Sequence, residues 1–101
     1  MSKFSKQVYD ILPRIPKGKV VTYSQIAQLI DNPKACRAVG NALHVNMDPI
    51  NYPCYKVVNN KGELAKHYAF GIEKQKQFLQ NDGIVVINNK IDLNKYQWRP
   101  Q

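Results

Sequence analysis

Cysteine, tryptophan and long apolar runs are all scarce in this chain, and each scarcity removes a class of function. Spanning a bilayer takes about 20 consecutive apolar residues, and residues 1–7 lack the apolar stretch of a signal peptide. A cytoplasmic protein with no membrane partner is therefore expected. Cys36 and Cys54 are too few for a disulfide framework, and with only His44 and His67 to join them they do not read as a zinc site. Neither a metal nor a cofactor is called for, and each thiol needs its own explanation. Acidic residues are also few, with seven Asp and Glu against fifteen Lys and Arg, a formal charge of +8 and a pI near 9.6. That balance suits a polyanionic partner, nucleic acid or an anionic membrane surface, although a basic chain can also be merely soluble. Repeats, low-complexity stretches and linkers are missing too. At 101 residues the chain can bury one modest core, so residues 1–101 are expected to form a single domain.

What is present is largely helical in period. Phe4, Val8, Ile11, Leu12 and Ile15 recur at helical spacing, which predicts an opening helix that stops near Pro13, followed by a turn at Pro16-Lys17-Gly18-Lys19. Val20 and Val21 suggest a brief extended piece. Thr22 stands three residues before Gln25, the spacing of a capping box, and predicts a helix over residues 23–30. Asn32-Pro33 then offers a cap and a first-turn proline for a helix over residues 33–45. That helix buries Ala35, Ala38, Val39, Ala42 and Leu43 and presents Lys34, Arg37, Asn41 and His44. A strand is expected over residues 55–58, a turn at Asn59-Asn60-Lys61-Gly62, a helix over residues 72–81 ended by Gly83, and a closing hairpin of residues 84–87 with 91–93.

Two helices joined by Asp31-Asn32, the second small on its buried side and cationic on the other, form a helix-turn-helix pattern. On pattern alone, an ordinary amphipathic pair with a solvated face reads equally well. The fold class expected is α+β, mostly α, of a helix-turn-helix, winged-helix-like type.

The stretch Val21-Thr22-Tyr23-Ser24-Gln25-Ile26-Ala27, then Asn32-Pro33-Lys34-Ala35-Cys36-Arg37-Ala38-Val39-Gly40, then Asn46 and Pro53-Cys54-Tyr55-Lys56-Val57-Val58, resembles the core of the O6-alkylguanine DNA alkyltransferases. Several motifs agree in order and spacing along most of the chain. Further on, Gln75-Lys76-Gln77, Asp82-Gly83, Ile91-Asp92-Leu93 and Tyr96-Gln97-Trp98-Arg99-Pro100 resemble the alkyltransferase-like branch, which usually has Trp at the acceptor position. The resemblance implies the alkyltransferase C-terminal type of domain, without the N-terminal RNase H-like domain of the repair enzymes. It also implies a partner: double-stranded DNA containing O6-alkylguanine, bound by a monomer through the minor groove.

By the same resemblance, Arg37 intercalates where the damaged nucleotide is rotated out, Tyr23 helps rotate it at a phosphate, and Asn46 sits in the hinge before the active-site loop. Guanidinium is planar and cationic, so stacking on bases is chemically sound. Lys34, Asn41 and His44 share the DNA face, and the small residues Ala35, Ala38, Gly40 and Ala42 let the backbones approach closely. Pro53, Val57 and Tyr68 match pocket positions. Each of these also has a plain reading as packing or turn chemistry.

Cys54 stands at the acceptor position. In the repair enzymes a His follows it and a Glu on the last helix completes a relay; here Tyr55 replaces the His and Lys76 or a neighbour stands at the level of the Glu. An ordinary thiol, with a pKa of about 8.5, is only a few per cent ionised at neutral pH, so a slow single-turnover methyltransferase is one expectation. Lys76 can stabilise a thiolate by charge, or Tyr55 by a hydrogen bond. The other reading makes Cys54 a small pocket-lining residue in a non-catalytic sensor that hands lesions to nucleotide excision repair proteins. A major-groove transcription factor is a third reading, disfavoured by the small-residue helix. Cys36 reads as helix packing.

Overall fold

A computed structural model describes residues 2–66 and 68–100; His67, weighed above as a metal ligand, lies outside the described residues. The fold is mostly helical with one short parallel sheet. Helix α1 (Lys3–Ile11) is capped by Ser2 and runs into a 3-10 turn at Leu12–Arg14, where Pro13 fits the first turn of a helix. Strand β1 (Val21–Thr22) leads directly into α2 (Tyr23–Leu29), whose capping box has both reciprocal hydrogen bonds between Thr22 and Gln25. No helix among the described residues is long and apolar enough to cross a membrane.

The third helix departs from expectation at its start. It is α3 (Cys36–His44), not residues 33–45. Asp31 takes a left-handed φ of 59° that closes α2, the Asn32 N–H is spent on the Ala27 carbonyl, and the Asn32 carbonyl accepts from Ala35. Residues 32–35 therefore form a turn, and no side chain caps α3. The buried stripe narrows to Val39, Ala42 and Leu43, while Ala35 is half-buried and Ala38 exposed, a correction to both. Ala38 lies one residue, about 100°, round the helix from Val39 and falls outside the stripe.

A 3-10 turn (Cys54–Lys56) precedes strand β2 (Val57–Val58), so the strand expected over residues 55–58 is cut to its second half. The turn is closed by the Lys56 N–H on the Pro53 carbonyl and the Val57 N–H on the Cys54 carbonyl, and the Lys56 side chain turns inward. Only 5% exposed, it pairs with Asp82 at 3.2 Å and donates to the carbonyls of Ile15 and Pro16. β2 runs parallel to β1, Val21 opposite Val57 and Thr22 opposite Val58.

Alternation along these strands divides the interior in two. Val21 and Val57 face a core built with α1, α2, α3 and Cys54, whereas Val20 and Val58 face a second with Leu64, Leu79, Ile84, Ile91 and Tyr96. Parallel sheets are usually covered on both faces, and this one is.

Helix α4 (Ile72–Asn81) ends as expected. Gly83, at a φ of 84°, forms a Schellman closure in which its N–H reaches the Gln80 carbonyl and the Ile84 N–H reaches Leu79. The closing hairpin does not form as expected. Asn88 and Asn89, both left-handed, make a tight turn bridged only by Ile87 and Lys90. Their neighbours pair elsewhere, Ile91 N–H with the Gly62 carbonyl and Leu64 N–H with Asn89. Gly62 is irreplaceable there: at a φ of 81°, a Cβ would collide with the Ile91 carbonyl oxygen. Asp92 then caps a short α5 (Leu93–Tyr96), and Val20 exchanges backbone hydrogen bonds with Tyr96 and Trp98.

Removing one partner of a buried pair strands the other charge, at a cost of about 3–5 kcal/mol. Asp82 also accepts the Gly18 N–H at 2.7 Å. Asp82→Ala is expected to lower the urea unfolding free energy by about 3 kcal/mol. Asp10→Ala, which breaks an exposed 3.9 Å pair with Lys6, is expected to leave it nearly unchanged. Equal midpoints for the two variants would show that Lys56 is neutralised another way.

Candidate nucleic-acid interface

α3 turns Arg37, Asn41 and His44 outward on one face, and Lys34 is exposed in the turn before it. The half-buried Ala35 and exposed Ala38 add no bulk to this side, so another backbone can come close. Cys36, half-buried at the start of α3, lies 3.3 Å from the Ser24 hydroxyl and belongs to the α2–α3 packing.

A cavity of about 620 Å³ opens beside this face. Asn41 and His44 border it from α3, Tyr23 from the first turn of α2, and Lys66 and Tyr68 from the segment before α4, with Cys54 in its lining. Cys54 is only 3% exposed. Its N–H donates to the Tyr52 carbonyl at 2.7 Å, and its thiol donates to the Tyr68 hydroxyl at 3.5 Å. Burial, then the hydrogen bond with Cys54, pushes the Tyr68 phenol far above the ordinary tyrosine range. Tyr68 thus stays neutral and can donate to a thiolate. Burial first and the nearness of Cys54 second raise Tyr23 as well.

Tyr55, one of the two thiolate partners expected, is placed differently. The 3-10 turn stacks its ring on Phe78, with centroids 4.9 Å apart, and the tyrosine bonded to Cys54 is Tyr68. Burial, then the Asp82 carboxylate, then Cys54, raise the Tyr55 pKa. Lys76 is half-buried on α4, and besides Phe78 its neighbour Gln75 reaches the Cys54 segment, fully buried and bonded to the Tyr55 and Val57 carbonyls. The carboxylate at this level is Asp82, already held by Lys56.

Asn46, Pro53 and Val57, the other expected pocket residues, stand outside the cavity lining. Asn46, 2% exposed, donates to the Tyr52 carbonyl at 2.8 Å and accepts from the Asp48 N–H at 3.0 Å. It thereby fastens the end of α3 to the loop before Cys54. Pro53 is buried ahead of the 3-10 turn, and Val57 is in β2. Gln75, the Lys56–Asp82 pair and the Asn88-Asn89 wall of the cavity escaped the sequence reading. Only Asn88-Asn89 carried a local signal, since adjacent asparagines favour left-handed turns.

Residues 3–84 match the family described as 6-O-methylguanine DNA methyltransferase, DNA binding domain. The DNA base-flipping protein of Vibrio parahaemolyticus is 37% identical over 101 residues, covering 99% of this chain and 100% of its own. A bifunctional methyltransferase/endonuclease of Picrophilus torridus is 42% identical over 91 residues; the match covers 90% of this chain and 30% of that longer protein. The crystal structure of Schizosaccharomyces pombe Atl1, in complex with damaged DNA containing O6-carboxymethylguanine, superposes with a TM-score of 0.90 at 32% identity, covering 99% of this chain and 98% of that one.

The raised Tyr68 pKa has a definite sign in stability. Unfolded tyrosines ionise near pH 10 while the folded Tyr68 keeps its proton, so the unfolded state binds fewer protons above that pH and stability falls as pH rises. Below about pH 9 the effect is absent. Tyr68→Phe is therefore expected to make the decline in urea midpoint between about pH 9 and about pH 11 shallower than in the unaltered chain. Parallel declines would contradict the burial of this phenol.

Proposed function

This chain belongs to the DNA-binding-domain family of the 6-O-methylguanine DNA methyltransferases, and we propose that it binds double-stranded DNA carrying O6-alkylguanine as a monomer. In this reading α3 enters the minor groove and the damaged nucleotide swings into the cavity beside Cys54. The observation that carries it is the adjacency of an exposed cationic helix face and a cavity of about 620 Å³ that share Asn41 and His44. Ligand pockets run to roughly 300–1,000 Å³, so a base with its alkyl group fits. Flipping a base costs a few kcal/mol, least for a damaged one. Arg37, exposed on α3, takes the vacated place in the stack, Tyr23 steers the backbone at the cavity mouth, and Lys34 meets phosphate. The base-flipping relative and the damaged-DNA complex of the yeast relative point the same way.

Family members include methyltransferases and alkyltransferase-like proteins, so the chemistry at Cys54 is a separate question. We read Cys54 as a slow acceptor. Its sulfur attacks the alkyl carbon, the S–C bond forms as the C–O6 bond breaks, and the thiol proton ends on the departing guanine. The thioether does not revert, so each chain reacts once. The opposing reading, a sensor that holds the lesion for nucleotide excision repair proteins, draws on the hydrogen bond from the thiol to Tyr68, a phenol that is no proton acceptor in the working range.

Two experiments test these readings. Arg37→Ala is expected to reduce the preference for O6-methylguanine DNA over undamaged DNA by about 1–3 kcal/mol, the scale of a stacking or cation–π contact. Lys34→Ala should weaken binding to both DNAs equally. Matching losses for the two variants would remove Arg37 from its role. For Cys54, single-turnover mass spectrometry on methylated DNA should find one added methyl, at a rate that climbs with pH because the thiolate is the nucleophile. Intact lesion binding with no adduct at any pH would leave the sensor reading.

A further inference from the structure

Gln75 is the one polar side chain of α4 that is completely buried, and it spends its whole amide on two different stretches of chain. Its Nε2 donates to the carbonyls of Tyr55 and Val57, at 3.1 and 3.2 Å, one within the turn that begins with Cys54 and one just after it. Its Oε1 accepts the Ala65 N–H at 2.9 Å. The Tyr68 N–H in turn reaches the Ala65 carbonyl, and the Gly71 N–H ahead of α4 reaches the Tyr68 carbonyl. Cys54 and Tyr68 thus belong to separate segments, each tied to the same side chain. Their own 3.5 Å contact is weak, because a thiol is a poor donor.

We infer that Gln75 is a positioning residue: a strut that sets the separation of the Cys54 and Tyr68 walls and thereby the width of the cavity between them. The residue touches no ligand and acts through its two neighbours. A Leu or Met of similar length would fill the volume, but it would leave two carbonyls and an N–H buried without partners. The wall bearing Lys66 and Tyr68 would then shift relative to Cys54. The role in recognition rests on the lesion-pocket reading above; the role in geometry does not.

The test separates the two. In the unaltered chain, both cysteines are labelled with iodoacetamide while resolved by mass spectrometry, and affinity is measured for undamaged and O6-methylguanine DNA. In Gln75→Met, Cys54 is expected to react about tenfold faster, the size of effect that lost buried hydrogen bonds produce, with Cys36 unchanged. Lesion preference should drop by a similar factor at constant affinity for undamaged DNA. Gln75→Glu keeps the acceptor for Ala65 and loses both donors, so it should fall between the two. Unchanged Cys54 labelling, or an equal rise at Cys36 and Cys54 that reports general loosening, would overturn the strut. Should neither variant fold, hydrogen exchange at the Ala65 amide decides: strong protection in the unaltered chain is expected, and rapid exchange would sink the idea. Lack of lesion preference in the unaltered chain, with the labelling pattern intact, would instead count against the lesion reading alone.

Discussion

The pairing of β1 with β2 is only two residues long on each side, yet both halves of the site hang from it. β1 ends in Thr22, the cap of α2, so the pairing fixes where Tyr23 begins its helix. β2 begins where the Cys54 turn stops, so the same hydrogen bonds fix the thiol. Because neighbouring residues face opposite cores, Val21 and Val57 one and Val20 and Val58 the other, a slip of one residue that carried Thr22 into the place of Val21 would put a hydroxyl into an apolar core. The register is therefore specified far more strongly than so short a ladder would manage alone.

Charge is divided with similar economy. The chain carries +8, but one of its lysines is taken inside, where Lys56 meets Asp82 and two backbone carbonyls. That pair ties the Cys54 turn, the Pro16-Gly18 turn and the end of α4 together. The lysines and arginines left outside, among them Lys34 and Arg37 around α3, supply the field that a polyanion would meet.

Features with a local cause were legible from sequence, and those that depend on distant partners were not. The capping box at Thr22 and Gln25 and the glycine closure after α4 each satisfy backbone groups within a few residues, and both stand where their spacing puts them. The start of α3 is the local exception: Asn32 offers a cap, but with Asp31 left-handed the Asn32 N–H donates to the Ala27 carbonyl and the Asn32 carbonyl accepts from Ala35, which makes a turn of residues 32–35. The hairpin over residues 84–93 gave way to pairing with Gly62 and Leu64, far back in the chain. At the site, motif order located Cys54, the α3 face and Tyr68. It did not reveal that the turn at Cys54–Lys56 rotates Tyr55 onto Phe78, or that Gln75 and Asp82, polar residues in an ordinary amphipathic stretch, point inward.

The backbone exchange between Val20 and residues Tyr96 and Trp98 carries a further meaning for how the chain assembles. It means that β1 is completed by segments from near residue 20, near residue 57 and near residue 97. Closing loops of that reach costs entropy before any contact repays it, whereas α2 and α3 pack on each other as neighbours in the chain. The expected order of folding is thus a helical half that gathers early and a ladder that closes late. On that order the cavity is the last feature to acquire its shape, and an incompletely folded chain would display its cationic helix before it had any pocket to go with it.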